Sequence, residues 1–382
     1  MVKTILFDGR FLSLSHAGIG RYSCELLKEV LPQLKESERM IILIKPGAQF
    51  DDDLSEAIKN RPDTEVIETN INHYSLKEQT DLLKLLNSIK PDLVHFPHFN
   101  HPILYKGKFV VTIHDLTLSH FAERSNFMKT LIYNKVISSA ARNSEKIFTV
   151  SEFVKGEMVK KLKLPSSKVV VTHNGIDEKF KKITNPRVLQ KAEKYNLNKP
   201  YYLYVGQWRS HKNLLILVEA FSGLIKKGLK GKVELVFTGK IDPKYHQLQA
   251  LVKKLSLEKD VRFTGFISDE DLPIIYNNAL AFVFPSLSEG FGLPALEAQA
   301  CGTPVISSDK TSMPEVLSDG ALYFDGKNQK QLEGKMIDVL KKEKLRDELI
   351  AKGLENTKKF SWKQTASKSL EVYREILYKE VI

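Results

Sequence analysis

The stretch Ala281-Phe-Val-Phe-Pro-Ser-Leu-Ser-Glu-Gly-Phe-Gly-Leu-Pro-Ala-Leu-Glu297 shows the pattern on which the fold depends. It opens with four apolar residues typical of a buried strand and continues through a loop that contains two glycines. It then enters a predicted helix, in which Pro294 suits the first turn and Gly302 suits the end. Because a strand followed by a helix is the repeating unit of a parallel sheet, this stretch predicts one such unit.

The same alternation of strand and helix runs through the whole chain. Short apolar runs predict strands, and apolar residues at three- and four-residue spacing predict helices between them. The predicted strands are Thr4–Phe7, Met40–Ile44, Leu93–Phe96, Phe109–Ile113, Ile147–Val150, Val169–Thr172, Tyr201–Val205, Val233–Phe237, Val261–Phe263, Ala281–Phe284, Pro304–Ser307 and Ala321–Phe324. The predicted helices cover 20–31, 75–88, 127–142, 152–163, 213–227, 245–255, 294–301 and 329–342.

The length and composition predict two domains of this α/β class. The chain has 382 residues, of which 42% are hydrophobic and 27% are charged, as in ordinary globular proteins. We expect domains at 1–182 and 183–360, with the Lys-, Asn- and Pro-rich segment Asp177–Pro200 as the linker. Two doubly wound sheets would face each other across a cleft, and ligands would bind beyond the carboxyl ends of the strands. The segment 361–382 predicts a capped helix with one apolar stripe, and packing on the second domain is the simplest place for that stripe.

The net charge of +12 favours anionic ligands, but it does not single out nucleic acid. The basic residues are spread over both halves, whereas a dedicated nucleic-acid segment would concentrate them. Cys24 and Cys301 form neither a disulfide framework nor a metal-like pair, and the first residues lack the features of a signal peptide. These features favour a cytoplasmic protein.

The string from Glu289 to Glu297 combines acceptors and donors around one loop. Gly290 and Gly292 permit unusual backbone angles and close ligand approach. The amides of the three residues at the helix start lack partners within the helix, and the two glutamates bring carboxylates to the same place. Since each sugar hydroxyl both donates and accepts, this combination suits a polyhydroxylated ligand. The alternative is a simple glycine turn in which Glu297 complements the helix dipole. The three amides belong to Phe291, Gly292 and Leu293.

A second motif follows the strand Tyr201–Val205. Gly206 turns the chain, and Asn213 is a good N-cap for the next helix. Arg209 and Lys212 therefore lie at a helix start, where cations oppose the helix dipole unless an anion lies between them. The pair suits a diphosphate-binding site that needs no metal, and a solvated basic loop is the alternative.

The first half offers weaker candidates. Gly18 and Gly20 precede a helix whose amides suit an anion, but their spacing does not match the dinucleotide-binding fingerprint. His114, beside Asp115, follows the strand Phe109–Ile113 at its carboxyl end. It could position a substrate hydroxyl or transfer a proton, and a hydrogen-bonded structural histidine is an equally good interpretation.

Two patterns look like metal sites, and neither is favoured. His95, His98 and His101 are spaced by three residues, but two prolines make the segment an irregular loop with no acidic ligand nearby. Asp51-Asp-Asp53 precedes a helical pattern at Leu54–Lys59, so it is better explained by the dipole at a helix start.

These motifs, taken in order, resemble the retaining glycosyltransferases of family 4, which have the GT-B fold. The resemblance covers nearly the whole chain, and its Glu-x7-Glu string is the most specific part. The first motif, Gly18-Ile-Gly-Arg-Tyr22, looks most like that of the bacterial mannosyltransferases of polysaccharide assembly. The motifs that carry it include Ala17-Gly-Ile-Gly-Arg-Tyr22, Thr112-Ile-His-Asp115, His173-Asn-Gly-Ile-Asp177, Tyr204-Val-Gly206, Lys212-Asn213, Phe263-Thr-Gly-Phe266, Pro285 through Glu297, Ala300-Cys-Gly-Thr-Pro-Val305 and Phe360-Ser-Trp362.

The resemblance implies a role for each matching position. Arg209 and Lys212 would hold the donor diphosphate, and His114 would lie by the reacting centre. The loop Gly265–Ile267 would meet the nucleobase, and the last helix would cross back to the first domain. No metal is expected. The remaining implied roles are phosphate approach at Gly18 and Gly20, sugar contact at Glu289, backbone bonds at Phe291, Gly292 and Leu293, and ribose binding at Glu297.

The sequence therefore predicts a retaining hexosyltransferase without a cofactor. It would move a hexose, expected to be mannose, from GDP-mannose or a UDP-hexose to a glycan or lipid-linked acceptor. The alternatives are a GT-B nucleotide-sugar epimerase and a non-catalytic protein that binds nucleotides or polyanions. Peripheral contact with anionic membrane through a helical segment at Lys129–Lys146 is a further hypothesis, and a solvated helix face is its alternative.

Overall fold

The chain divides into two compact units. The structure, a computed structural model, describes residues 2–12, 18–116, 127–239 and 245–379, with the backbone alone at 127–130. Unit 1 comprises residues 1–175 together with 361–382, and unit 2 comprises 176–360. The division after residue 175 lies slightly before the boundary expected after residue 182.

Unit 1 contains a seven-stranded sheet in which every strand pairing is parallel, with the order β3-β2-β1-β4-β5-β6-β7. Its strands are β1 (Lys3–Phe7), β2 (Glu38–Ile44), β3 (Glu65–Glu68), β4 (Leu93–Phe96), β5 (Phe109–Thr112), β6 (Lys146–Thr149) and β7 (Val169–Val171). Its first helices are α1 (Ile19–Val30), α2 (Asp52–Lys59), α3 (Leu76–Ile89), α4 (Phe127–Asn143) and α5 (Glu152–Leu162).

Unit 2 contains a six-stranded parallel sheet with the order β10-β9-β8-β11-β12-β13, which is the strand order of a Rossmann domain. Its strands are β8 (Tyr201–Val205), β9 (Glu234–Thr238), β10 (Val261–Gly265), β11 (Ala281–Phe284), β12 (Val305–Ser308) and β13 (Ala321–Phe324). Its helices are α6 (Pro186–Leu189), α7 (Leu214–Leu224), α8 (Gln247–Lys254), α9 (Leu272–Asn278), α10 (Leu293–Ala300), α11 (Met313–Leu317), α12 (Gln329–Lys341) and α13 (Glu343–Thr357).

These two sheets confirm the predicted α/β class and its doubly wound strand order. Central strands such as β5 and β11 are buried along their whole length, which explains their continuous apolar sequences. Every predicted strand has a counterpart within a few residues. The sequence did not predict β3, because Glu65–Glu68 is a mostly exposed edge strand without an apolar run.

The helix α14 (Trp362–Tyr378) supplies its predicted apolar stripe to the core of unit 1. Trp362, Leu370 and Tyr373 pack in that core with β1 and α1. The chain leaves unit 1 after Gly175 and returns to it at Ser361. These two points lie close together, since a side chain added at Gly175 would overlap the backbone of Trp362. The packing on the second domain that was the simplest expectation for this stripe is therefore wrong.

Several local predictions need correction. The segment Asp177–Pro200 is not an independent linker, because the amide of Asn277 bonds the backbone of Lys181 and Ile183 and so ties the segment into unit 2. The predicted capping box at Ser361 is wrong, since that side chain forms no cap hydrogen bond. The helix predicted at 127–142 is confirmed as α4, but the segment Lys129–Lys146 suggested for membrane contact is not helical to its end, because Lys146 opens β6.

Candidate active site

The two motifs predicted to bind the donor follow neighbouring strands of unit 2. The strand order reverses between β8 and β11, which pair in parallel through Leu203 and Phe282. The loop that begins at Gly206 follows β8, and the loop that contains Glu289 follows β11. Ligands of doubly wound sheets bind beyond the carboxyl ends of the strands at such a reversal. The two motifs therefore occupy the position in unit 2 where this fold binds ligands.

Lys212 and Glu289 form an ion pair that joins the two loops. The ammonium Nζ of Lys212 lies 2.5 Å from Oε1 of Glu289, and the two side chains are 18% and 12% exposed. The hydroxyl of Ser286 donates to the same oxygen at 2.5 Å, and the amide of Leu287 donates to the carbonyl of His211 at 2.8 Å. Sequence reasoning found both charged residues but did not pair them, because they are far apart in the chain.

Arg209 differs from Lys212 in its surroundings. Its side chain is exposed, and its backbone is extended (φ −142°, ψ 158°) just before the 3₁₀ turn Ser210–Lys212. Within the described part of the chain, the guanidinium of Arg209 has no hydrogen-bond or ion-pair partner. The two predicted cations thus lie within one turn of each other, one held by a carboxylate and one presented to solvent.

Asn213 immediately precedes α7, as predicted for its N-cap, but its side chain does not cap the helix. Asn213 has a left-handed backbone (φ 57°) and no cap hydrogen bond to the start of α7. Its side-chain amide instead donates to the carbonyls of Pro285 (3.2 Å) and Gly326 (2.7 Å). Asn213 therefore ties the loop after β8 to the loop after β11.

Two glycines of these loops have backbone angles that side chains rarely adopt. Gly206 has φ 145°, and Gly292, which precedes α10, has φ 92°. A side chain at Gly292 would also overlap the terminal methyl of Met313. The next amide along, that of Leu293, opens α10 and lies at the amino end of that helix.

Glu297 lies in the second turn of α10 and is 3% exposed. The hydroxyl of Tyr276 donates to its Oε2 at 3.1 Å. Because Glu297 is beyond the first turn, the dipole of the helix is not a sufficient account of this buried carboxylate. Phe291 is also buried, and its ring meets that of Phe360 edge to face at 5.6 Å.

The loop predicted to meet the nucleobase contains one residue that sequence reasoning did not single out. Ile267 is 5% exposed, whereas the neighbouring Phe266 is 78% exposed. Gly265 turns the chain before them with φ 72°. The exposed apolar residue of this loop is therefore Phe266, next to the predicted one.

The remaining predicted residues belong to unit 1. Gly18 immediately precedes α1 with φ −92°, and a side chain there would meet no atom of the described residues within 4 Å. Gly20 is buried in the first turn of α1. The rest of that loop, residues 13–17, lies outside the described residues. Nothing in the described chain thus requires a glycine at position 18.

His114 is a neutral histidine with a defined proton position. Its Nε2 lies 2.9 Å from the carbonyl oxygen of Pro97, and a carbonyl only accepts, so Nε2 carries the proton. Burial lowers the pKa of His114, although the bond to Pro97 and the charge of Asp115 act in the opposite direction. The unprotonated Nδ1 is a hydrogen-bond acceptor, which favours the positioning of a hydroxyl over proton transfer.

The three spaced histidines have separate structural partners. His95 lies between the hydroxyls of Tyr373 (2.5 Å) and Thr112 (2.8 Å), and burial lowers its pKa to about 3. His98 contacts Oδ1 of Asn100 at 2.7 Å. His101 contacts the carbonyl of Phe99 and the hydroxyl of Ser139, both at 3.1 Å. The rings therefore belong to separate hydrogen-bond groups.

Asp51 caps α2 as the dipole argument predicts. Its Oδ1 accepts from the amide of Leu54 at 3.0 Å. Its other oxygen pairs with Lys28 at 2.6 Å, and Lys28 also lies 3.0 Å from Glu25. Among the described residues, one group of potential metal ligands is found, and it consists of Cys24, Glu25 and Asp51. The ammonium of Lys28 already pairs with both carboxylates of this group.

The fold of the whole chain is the GT-B fold. A sucrose-phosphate synthase from Thermosynechococcus elongatus aligns with 100% of this chain and 100% of its own at a TM-score of 0.80 and 19% identity. Anabaena HepE, solved in complex with UDP and glucose, aligns with 98% of this chain and 99% of its own at 0.76 and 16% identity. Because the sequence identities are low, these two similarities show a shared fold only.

Two family models match the chain, one in each unit. The model for Glycosyltransferase Family 4 matches residues 41–180, and the model for Glycosyl transferases group 1 matches residues 187–356. The O-antigen chain mannosyltransferase B of Escherichia coli is 28% identical over 97% of this chain and 99% of its own length. The serotype-specific mannosyltransferase WbdA of Escherichia coli is 31% identical over 61% of this chain, and that match spans 29% of WbdA. The chain therefore contains glycosyltransferase domains in both units, which confirms the resemblance seen in the motifs.

Proposed function

We propose that this glycosyltransferase moves mannose, with retention at the anomeric carbon, from a nucleoside diphosphate donor to a glycan or lipid-linked acceptor. The observation that carries the proposal is the arrangement of Arg209, Lys212 and Glu289 at the strand reversal of unit 2. The names of the two mannosyltransferases from Escherichia coli support the choice of sugar and of a polysaccharide product. GDP-mannose is the proposed donor, and a UDP-hexose is the alternative.

The chemistry follows from the charge that develops as the donor breaks. Cleavage between the anomeric carbon and the diphosphate oxygen leaves negative charge on the diphosphate. Arg209, Lys212 and the amides before α10 stabilise that charge. The leaving oxygen takes the proton of the acceptor hydroxyl, so no strong base is required. A neutral His114 is compatible with this scheme, because its Nδ1 has only to accept a hydrogen bond from a sugar hydroxyl.

Glu289 has two roles in this proposal. It keeps Lys212 in place, and its carboxylate accepts hydrogen bonds from the transferred sugar. Glu297 binds the ribose hydroxyls, and the loop at Ile267 contacts the nucleobase. The family resemblance assigns phosphate binding to Gly18 and Gly20, and we keep that role in the proposal. Because Arg209 and Lys212 supply the positive charge, the transfer needs no metal, and full activity in excess EDTA is the expected result.

Thermal unfolding with GDP, UDP and ADP tests the donor site directly. A nucleotide at a hundred times its Kd stabilises by about 2.7 kcal/mol, which raises the Tm of a unit of this size by about 5–10 °C. We expect GDP to give the largest shift and Lys212→Ala to remove it. If no nucleotide shifts the Tm of the wild-type protein, the proposed donor site is refuted.

Incubation of the donor with and without an acceptor tests the reaction class. A transferase forms the glycoside only with the acceptor, and proton NMR of the first product should show the anomeric configuration of the donor. Conversion of the donor to a second nucleotide sugar without any acceptor would establish an epimerase instead. Binding that falls steeply with salt and is unchanged in Glu289→Ala would indicate a polyanion-binding protein.

We also propose that unit 1 contacts anionic lipid. Exposed apolar side chains lie on neighbouring elements: Leu131 and Ile132 on α4, Leu76 at the start of α3, and Leu104 in the loop after β4. That loop bonds both helices, since the side chain of Gln79 donates to the carbonyl of His101, which in turn contacts Ser139 on α4. Among the described residues, no helix is both long enough and apolar enough to cross a bilayer.

Exposed lysines lie beside these apolar side chains, namely Lys77, Lys106 and Lys135. The side chain of Lys129, which the sequence also suggested, lies outside the described part. Apolar and basic groups on one surface match an anionic bilayer. In vesicle flotation at low salt, the wild-type protein should rise with the anionic vesicles. The double variant Leu131→Ser/Ile132→Ser should remain at the bottom of the gradient. Equal flotation of both proteins would refute this surface.

A further inference from the structure

The strand order of unit 1 reverses between β1 and β4, so unit 1 has its own ligand position at the carboxyl ends of these strands. The chain beyond β1 contains Asp8 and Arg10, and the chain beyond β4 contains His98 and Asn100. The proposed donor chemistry uses none of these four residues. The surface they support therefore has no assigned ligand.

Tyr74 is the unusual residue of this surface. Its backbone has φ 58°, a region that large side chains rarely adopt, and yet the residue is 65% exposed. Core packing does not explain such a conformation in an exposed residue. Strained backbone of this kind persists where neighbouring groups fix it, and it is concentrated at ligand sites.

A buried ionic network fixes the backbone of Tyr74. The amide of Tyr74 donates to Oε2 of Glu78 at 3.0 Å, and the same oxygen accepts from Asn100 at 3.1 Å. The other oxygen of Glu78 lies 2.9 Å from Arg10, which forms two bonds of 2.7 Å to Asp8. Arg10 is fully buried, so the charged groups of this network lie deep in unit 1. Through Glu78 they fix the backbone at Tyr74.

Other aromatic rings lie next to the exposed ring of Tyr74. The ring centroid lies 6.2 Å from that of His98 and 6.3 Å from that of Phe99, and Phe99 lies 5.0 Å from Tyr133.

A second observation points to a missing polar partner beside Tyr74. The side chain of His73 is 8% exposed, and among the described residues neither of its ring nitrogens has a partner within hydrogen-bond distance. Its ring stacks on Phe11 with a centroid distance of 3.4 Å, and its Nδ1 lies 3.6 Å from Glu78, too far for a hydrogen bond. Buried polar groups in folded proteins are nearly always paired, and a ligand hydroxyl would pair this one.

We propose that Tyr74 is the platform of a carbohydrate subsite, on which a pyranose of the acceptor stacks with a hydroxyl toward His73. The apolar C–H face of a pyranose packs on an aromatic ring, while an imidazole binds a hydroxyl. Because the sugar is identified as the acceptor, this inference rests on the proposed transferase function.

The test uses Tyr74→Gly in the full-length protein. Glycine adopts φ 58° without strain, so this variant removes the ring while keeping or improving stability. The acceptor KM should rise about tenfold, and the donor KM and donor hydrolysis should stay within about twofold. Tyr74→Phe, which keeps the ring, should resemble the wild type.

Tyr378→Ala is the matched control, because Tyr378 is also an exposed tyrosine of unit 1. It lies beside Ser37 and Glu38, at the amino end of β2, and is 43% exposed. Its acceptor KM should equal that of the wild type. An acceptor KM within about twofold of wild type in Tyr74→Gly would overturn the subsite.

Saturation-transfer NMR with α-mannobiose and no donor separates this inference from the proposed function. Signal that is present in the wild type and in Tyr378→Ala but lost in Tyr74→Gly supports the subsite, even if no donor is ever turned over. Transfer activity in the wild type with an undiminished NMR signal in Tyr74→Gly refutes the subsite and leaves the transferase function intact.

Discussion

Replacement of Arg209 by alanine should separate the activity of this enzyme from its stability. The side chain is exposed, and in the described chain no group bonds its guanidinium. Substitutions at such surface positions change the free energy of unfolding by less than about 0.5 kcal/mol. In a unit of this size that corresponds to a change in Tm of at most about 2 °C.

The same substitution removes one cation from the leaving diphosphate. The loss of a single preorganised group that stabilises developing negative charge costs about 10²–10³-fold in turnover, or about 2.7–4 kcal/mol. We therefore expect Arg209→Ala to melt like the wild type and to turn over at least about 10²-fold more slowly. Tm and turnover are predicted to respond differently because the side chain of Arg209 contacts no described protein group, whereas its proposed partner is the leaving diphosphate.

The assay is the initial rate of nucleoside diphosphate release at saturating donor, measured alongside thermal unfolding of the same preparation. Lys254→Ala is the control, since it also removes one exposed positive charge from unit 2, on α8. Turnover of Arg209→Ala within a few-fold of the control would refute the role of Arg209 in the diphosphate site. A large drop in its Tm would refute the structural account of an unpartnered side chain.

Three further substitutions test other parts of the structure. Lys212→Met leaves the largely buried carboxylate of Glu289 without its cation, so the free energy of unfolding measured with urea should fall by about 1–3 kcal/mol. Part of that loss should return when Glu289→Gln is added, and no recovery in the double variant would contradict the pairing. His95 has a pKa of about 3 when folded, so the unfolded state binds the extra proton as the pH falls below about 6.5, and stability drops by about 2 kcal/mol from pH 7 to pH 5. His95→Gln should lose that part of the pH dependence, and an unchanged slope would show that His95 is not its source. Gly292→Ala forces a side chain to φ 92° against Met313 and should cost about 1–3 kcal/mol by chemical unfolding, whereas wild-type stability would exclude that strain.

The sequence predicted the sheets well because their strands are buried. Runs such as Ala281–Phe284 are apolar on both faces, and that property is visible without any knowledge of the partners. The edge strand Glu65–Glu68 and the helix Glu343–Thr357 were not predicted. The edge strand pairs on one side only and is mostly exposed, and the helix has few buried residues, so neither has a strong apolar pattern.

Site residues could be found from the sequence, but their contacts could not. Glu289 and Lys212 follow from local motifs, whereas their ion pair depends on two strands that become neighbours only in the folded sheet. The helix start after Asn213 was predicted correctly, but the bonds of its side chain were not, because they join carbonyls of distant loops. The left-handed conformation of Tyr74 left no sequence signal, because it is set by a carboxylate four residues away that Arg10 holds.

The close contact of Gly175 with Trp362 has a consequence for how the protein is made. The ribosome completes all of unit 2 before it synthesises the helix that closes the core of unit 1, a delay of about 10–40 s at ordinary translation rates. During that time the apolar face that α14 later covers is open, so the nascent chain is a natural client for chaperones. The same contact makes unit 2 a removable insert: a two- or three-glycine bridge between residues 175 and 361 would span the gap and give a single-domain protein suited to NMR.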